Sequence, residues 1–420
     1  MIIYSNLNSA NPLRGIFTFA LLYFLTIHSI FTQEIYYVQS PKAKLLENPK
    51  MDSKGRELSI GTDLRVMGNS GLFIQVRHGE KTGWVSKLFV SPFPPGKQIK
   101  LGVSSEPSEA IASRQRASDF TKTAAARGLS ETEKLRVRGN SEDYDFESLR
   151  WLEKVGALNL NIADEANLTN SSNNNSFDSS YSWFDEGLSE DTKQELKIGR
   201  SLSAKLIKKY GLVQDKDFTI YLNQIGQKIS SNTSRQDLSF RFGILNSDEI
   251  NAFACPGGYI FITKGAINQI QSEEELVGVF AHEISHLVLG HQGKFQSTNL
   301  FVEIISSFLG PSGGEVITVA TSDTISNLEN QLFEQGRDEK TEWEADESAI
   351  YLMSQLGYQP RAFPSYIFRI ASNKSSTVLS KTHPNGFQRK NKMESIIESL
   401  SKYEIQKHDS DIYNSLKSKI

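Results

Sequence analysis

The chain of 420 residues has a single cysteine, Cys255, which excludes both an intrachain disulfide framework and a cysteine-ligated zinc cluster. With no basic residue near it in sequence, Cys255 reads as a small apolar core residue rather than a nucleophile. Histidine is scarce as well, with seven in all, so two of them at metal-binding spacing stand out. Neither charge is in surplus: 46 basic residues face 49 acidic ones, a net charge of −3. Without a basic stripe or run, there is no footing for a nucleic-acid partner. Long apolar stretches are also few. The pieces between Phe301 and Phe333, parted by Pro311-Ser312-Gly313-Gly314, are too short to cross a bilayer and read as a flap or partly buried helices over a cleft.

The exception is the N-terminus. Arg14 precedes an apolar core from Gly15 to Ile27, followed by the more polar His28, Ser29, Thr32, Gln33 and Glu34. That layout is a secretory signal, residues 1–32, with cleavage expected near Thr32; an uncleaved anchor is the alternative. In both cases the bulk of the chain is expected in the periplasm or cell envelope of a bacterium. Membrane contact is expected only if the segment stays attached.

Residues 33–92 carry short β runs broken by glycine and polar turns: Tyr36–Val38, Ala43–Leu46, Asp63–Val66, Phe73–Val76 and Gly83–Val85. Turns fall at Asp52–Gly55 and Asn69–Gly71. The Gly83-Trp84-Val85 run with the short apolar segment Lys87–Val90 resembles the end of a bacterial SH3-like barrel. The resemblance implies exposed aromatics able to bind a peptide or cell-wall ligand; a spacer barrel with Trp84 in its core is the other reading. Pro92-Phe93-Pro94-Pro95-Gly96 ends the module as a stiff linker. Residues 93–188 read as a connector: helix-compatible from Glu106 to Arg127 and from Phe146 to Val155, then rich in Asn and Ser from Asn159 to Ser182. Solvated helix plus loop is the expectation there.

A second domain is expected over 189–405, with 406–420 as a tail. Ser189 is an N-cap candidate, Leu196, Leu202, Leu206 and Ile207 mark one helix face, and Gly211 stops it. A second helix is predicted from Phe218 to Ile229, and Leu238 to Leu245 alternates as a strand. From Ile250 to Thr263 two β runs flank Pro256-Gly257-Gly258, a hairpin. Its strand Asn251-Ala252-Phe253 is a candidate edge for pairing with an extended peptide.

Ser272 and Glu275 then form a capping box, and Gly290 closes the helix between them. That helix carries His282-Glu283-Ile284-Ser285-His286, the pattern H-E-x-x-H. At 3.6 residues per turn the two imidazoles share a face and can converge on one metal ion. Glu283, turned by about 100°, stands where a general base for a metal-bound water belongs. His291 is five residues past His286, rotated off that face, and is not expected as a ligand. The metzincin spacing, with a histidine six residues on, is not met.

A third ligand must come from elsewhere. Thr341 to Ala349 reads as a helix ending at Gly357. On it Glu342 and Asp346 share a face, while Glu344 points away. One carboxylate can bind metal and the other can accept from a ligand's second ring nitrogen.

Taken together, Asn251–Gly258, His282–His286 and Glu342-Trp343-Glu344-Ala345-Asp346 resemble the minigluzincin zinc endopeptidases. The resemblance runs from about Glu186 to Met393. It implies one zinc ion held by His282, His286 and Glu342, with Asp346 and Arg389 supporting the ligands. It also covers Thr382-His383-Pro384, and implies that His383 faces the metal, to steady an oxyanion or to cap the ion at rest. Transmembrane helices of the membrane-embedded members have no counterpart here, and about 27 residues follow Met393 where other members carry repeats. Partner recognition is then expected in the N-terminal module.

The expected fold is multidomain: a small all-β SH3-like barrel followed by an α+β, mostly helical, zincin-type domain. The expected function is zinc-dependent endoproteolysis of unfolded or misassembled envelope proteins. The alternative is a chaperone-like or cell-wall-binding envelope factor whose zinc site is latent.

Overall fold

The computed structural model describes residues 34–92, 94–95, 144–158, 190–291, 339–372, 385–400, 405 and 410–420. The apolar N-terminal segment, the 159–182 stretch, the 301–333 pieces and His383 lie outside the described residues.

Residues 34–92 are β-rich. The strands are β1 (Ile35–Val38), β2 (Lys44–Leu46), β3 (Gly55–Glu57), β4 (Asp63–Ser70), β5 (Phe73–His78), β6 (Lys81–Ser86) and β7 (Val90–Ser91). They form one seven-stranded sheet in the order β3-β2-β6-β5-β4-β1-β7. The end strands are three and two residues long and do not pair with each other, so the sheet is open. The closed barrel expected from the sequence is therefore not what the strand pairing delivers. A register shift between Val66 and Gly68 bends β4, as a bulge does, and lets the sheet curl over Leu64, Ile74, Val76, Val85 and Leu88. Both β3 and β7 fall where the sequence shows a turn or a short apolar tail, too brief for alternation to declare them.

The second unit is a three-layer arrangement. Its sheet of β8 (Leu212–Val213), β9 (Arg241–Leu245), β10 (Ala252–Cys255) and β11 (Tyr259–Thr263) has the order β10-β11-β9-β8. β10 and β11 make the expected hairpin, with Ala252 opposite Ile262 and Cys255 opposite Tyr259. Side chains alternate across it. Phe242, Ile244, Ala254, Ile260 and Ile262 face a core shared with α3 (Lys216–Ser230) and α5 (Glu273–Val288). Leu245, Phe253, Cys255, Tyr259 and Phe261 face the opposite core with α1 (Phe146–Ala157) and α2 (Glu190–Tyr210). Cys255 is fully buried there, as an apolar thiol should be.

The sequence reading of 144–158 as solvated connector is corrected. Leu149 and Leu152 of α1 are fully buried, and Glu153 lies in the core bound by Arg200 through two bonds of 2.7 and 3.0 Å and by the Tyr259 hydroxyl at 2.6 Å. A carboxylate that deep tolerates burial because its oxygens meet a guanidinium and a phenol. The 406–420 tail is corrected too. Helix α9 (Ser410–Lys417) docks Tyr413, fully buried, against Phe218 and Tyr221 of α3.

Four further helices lie among the described residues of this unit: α4 (Lys264–Gln269), α6 (Glu339–Gln355), α7 (Ala362–Ser372) and α8 (Gly386–Ser399). Among the described residues no helix is long and apolar enough to cross a membrane.

The two units touch. Leu46, Leu72, Phe73 and the half-buried Trp84 of the β-rich unit form an apolar cluster with Tyr351 of α6, Leu289 at the end of α5, and Ile396 and Leu400 around α8. Ser40 Oγ also donates to the Asn232 carbonyl at 3.2 Å. Trp84 thus packs, half-buried, against the cluster at the seam of the two units.

The hairpin is pinned from α2. Gly257 and Gly258 take φ of +75° and +90°, values that favour glycine, and Gly257 N–H donates to Glu195 at 3.0 Å. A Cβ on Gly199 would stand 1.7 Å from the Pro256 carbonyl oxygen, which is backbone and cannot step aside cheaply. Replacing Gly199 with alanine should lower stability by about 1–3 kcal/mol, read as a drop in the thermal unfolding midpoint.

Candidate metal centre

Helix α5 starts where the sequence places it. Ser272 accepts from Glu275 N–H at 3.3 Å, and the Glu275 carboxylate reaches back to Gln271 N–H at 2.8 Å. Glu273, Glu274 and Glu275 set three negative charges on the positive end of the helix dipole. Glu275 is tied to Arg369 of α7, and Glu273 accepts from Tyr358 at 2.9 Å. Gly290, at φ +70°, ends the chain's helical run. The helix is buried along nearly its whole length, so both histidines sit in a dry environment: His286 is fully buried and His282 nearly so.

On this rigid rod the two imidazoles converge. His282 Nε2 and His286 Nε2 are 3.1 Å apart. Glu342, in the first turn of α6 and fully buried, closes the triangle. Its Oε1 is 3.2 Å from His286 Nε2, and its Oε2 is 3.5 Å from His282 Nε2. Ligand atoms around a tetrahedral zinc at ~2.0–2.1 Å stand about 3.3–3.4 Å from one another. The three spacings bracket that value, so two imidazoles and a carboxylate fit a single first-row dication. These three residues form a possible metal site.

The surroundings supply the orienting partners. His282 Nδ1 lies 3.0 Å from Asp346 Oδ1. Arg389 of α8 clamps Asp346 with bonds of 2.7 and 2.8 Å, and its other terminal nitrogen lies 3.5 Å from Glu342. Burial would raise the Asp346 carboxyl, but the Arg389 charge and hydrogen bonds outweigh it and hold the group below its usual range. At His282, burial opposes the imidazolium. The Asp346 and Glu342 carboxylates override that and raise its pKa to about 9. A cage that so favours positive charge suits a cation. Phe363 of α7 packs its ring 5.7 Å from the His282 ring, centroid to centroid, and Gly278 leaves room for it where a Cβ would come within 2.5 Å of the Phe363 Cβ.

Glu283 is buried on the same helix, and its Oε2 has no hydrogen-bond partner among the described residues. Leaving a buried carboxylate oxygen unmatched costs about 1–3 kcal/mol or more. Such a group is held for something that arrives.

Of the other residues singled out in the sequence, Asn251, Ala252 and Phe253 lie at β10, an end strand of the sheet. Asn251 and Phe253 are buried, and the Phe253 ring stacks on Tyr210 with centroids 5.8 Å apart. The Phe253 side chain thus serves the core. His291 is not among the three residues of the possible metal site, and its Nδ1 is 3.0 Å from His286 Nδ1 and its Nε2 is 3.3 Å from Glu344 Oε2. Sequence reasoning missed both roles. His291 follows the helix terminus, where a fixed angular step per residue no longer locates a side chain.

Two histidines one turn apart, a glutamate between them and a carboxylate from a neighbouring helix define a metallopeptidase-type site. Residues 219–397 match the model of Peptidase family M48. Over 207 residues it is 27% identical to the beta-barrel assembly-enhancing protease of Yersinia pestis, covering 46% of this chain and 41% of that one. It is 26% identical over 204 residues to the mitochondrial metalloendopeptidase OMA1 of Schizosaccharomyces pombe, 47% of this chain and 57% of the relative. The metalloprotease LoiP of Escherichia coli (strain K12) is 25% identical over 150 residues, 36% of this chain and 58% of that one. The chain therefore spans only about two fifths to three fifths of the length of these relatives.

Replacing Asp346 with alanine removes the carboxylate beside His282 and strands Arg389. Metal affinity should fall by roughly 10–100-fold, measured by competition with a chromophoric chelator.

Proposed function

We propose that this chain is a zinc-dependent endopeptidase acting on unfolded or misassembled proteins of the cell envelope. The observation that carries the reading is the buried carboxylate of Glu283 beside the His282–His286–Glu342 cage, with one oxygen uncommitted among the described residues. A purely structural metal site has no use for a proton acceptor there. An extended substrate lies along β10, an end strand that needs only backbone pairing and so accepts many sequences.

His282, His286 and Glu342 would hold the zinc, which would supply a water of lowered pKa, toward ~7, and polarisation of the scissile carbonyl. Glu283 takes the proton of the attacking water and hands it to the leaving amine. Asp346, locked by Arg389, fixes the ring of His282 with Nε2 turned into the cage. The resemblance gives His383 one of two roles, steadying the oxyanion or capping the ion at rest.

The envelope setting is supported by the apolar Gly15–Ile27 segment and by relatives named as beta-barrel assembly-enhancing proteases. We read residues 33–92 as an SH3-like module by its Gly83-Trp84-Val85 ending. Its packing on α6 and α8 favours a bracing role over ligand capture through Trp84.

Digestion of unfolded casein by the purified chain should be abolished by a chelator and restored by zinc. Glu283→Gln should lose about 10²–10⁴-fold in cleavage rate while still holding one zinc per chain. Wild-type turnover in that variant would sink the assignment of the base. A zinc-loaded wild-type chain that binds casein without cutting it would instead favour a chaperone-like factor.

A further inference from the structure

His282 and His286 each turn Nε2 into the cage, and each must have its ring held from the other nitrogen. For His282 the holder is a carboxylate, Asp346, itself clamped by the cation Arg389. The corresponding place behind His286 is taken by a second imidazole. His286 Nδ1 meets His291 Nδ1 at 3.0 Å, and His291 Nε2 meets Glu344 Oε2 at 3.3 Å. One pair of tautomers satisfies every contact. With His286 Nε2 kept as a lone-pair donor for metal, its Nδ1–H donates to His291 Nδ1, and His291 Nε2–H donates to Glu344.

We propose that His291 and Glu344 form a positioning relay that fixes the ring of His286 for metal binding. The proposal rests on the metal-site reading above.

Three features beyond the contacts support it. The His291 side chain is almost wholly buried, 5% exposed, although it lies one residue past Gly290 at the helix end, where an ordinary polar side chain would face water. Its backbone is fixed too: His291 N–H donates to the His286 carbonyl at 2.9 Å, so ring and main chain return to the same ligand residue. Finally, the β-rich unit closes over this corner. Leu289, two residues away, sits in the cluster with Leu46, Leu72, Phe73 and Trp84. Each ring is thus held from a carboxylate of α6, Asp346 directly for His282 and Glu344 through His291 for His286.

The full chain supplies the test, by zinc competition and by the visible spectrum of the cobalt-substituted protein. His291→Leu should weaken zinc binding by roughly 10–100-fold and alter the cobalt absorption bands. His291→Asn places an amide oxygen where Nδ1 lies, and should recover both to near wild type. Glu344→Leu, at a half-buried position, should cost several-fold and covers the case in which His291→Leu does not fold. Unchanged affinity and spectrum in His291→Leu would overturn the relay, as would equal losses in His291→Leu and His291→Asn, which assign the effect to packing. If His291→Leu fails to fold, wild-type affinity in Glu344→Leu overturns it. A wild-type chain that binds no zinc removes the metal reading itself, and the relay with it.

Discussion

The structure depends on concentrating negative charge in a dry place. Glu283, Glu342 and Asp346 lie almost fully buried within one small volume, and Arg389 is the buried guanidinium among them. Bare carboxylates in a low-dielectric interior are too costly to keep, and they persist only when hydrogen-bonded, paired or bound to a cation. Arg389 satisfies Asp346 directly and touches Glu342 from 3.5 Å. The imidazoles have no permanent charge to offer. The arrangement is balanced when a dication sits between His282, His286 and Glu342, and the rise of the His282 pKa is the same demand expressed in protons.

Holding that charge cluster in place explains much of the scaffold. Helix α5 must be straight and immobile, because a ligand pair one turn apart loses convergence if the turn unwinds. It is capped by Ser272, tied by Glu275 to α7 and by Glu273 to Tyr358, and flanked by the sheet on one side and α6 on the other. Gly278 and Gly199 are small for a reason: one admits Phe363 against α5, the other admits the hairpin turn against α2. Even the C-terminal helix contributes, since Tyr413 packs beneath the loop that leads into α5, its hydroxyl 3.4 Å from the Ile267 and Ile270 carbonyls.

How much of this was legible in the sequence follows from the range of the interactions. Local signals were sufficient for α5, because a cap, a capping glutamate and a closing glycine lie within twenty residues. They were sufficient for the β10–β11 hairpin, for α2 and for α3. The pairing of His282 with His286 needs only helical geometry. The sharing of roles between Glu342 and Asp346 does not follow from spacing: both lie on one face, and the structure separates them by which one Arg389 clamps bidentately. Helix α1 was misjudged because its burial depends on Arg200 and Tyr259, 47 and 106 residues away. Trp84 was open between ligand face and core, and the cluster it packs against includes Tyr351, more than 250 positions downstream, which no local pattern encodes.

The acidic run on α6 shows why spacing alone underdetermines such a site. Glu342 and Asp346, one helical turn apart, point at the histidines as the four-residue step requires. Glu344, lying between them, is turned about 200° from Glu342 on an ideal helix and would ordinarily face solvent. It instead meets His291, because the chain leaving α5 passes the far flank of α6, where Gly290 at φ +70° redirects it. The β-rich unit then covers that flank with Leu72 and Phe73 near Leu289 and Tyr351. A carboxylate on the nominally outer face is thereby enclosed and given a partner. The apolar seam thus reaches Leu289, at the end of the helix that carries His282 and His286, so the β-rich unit is joined to that helix as well as to α6.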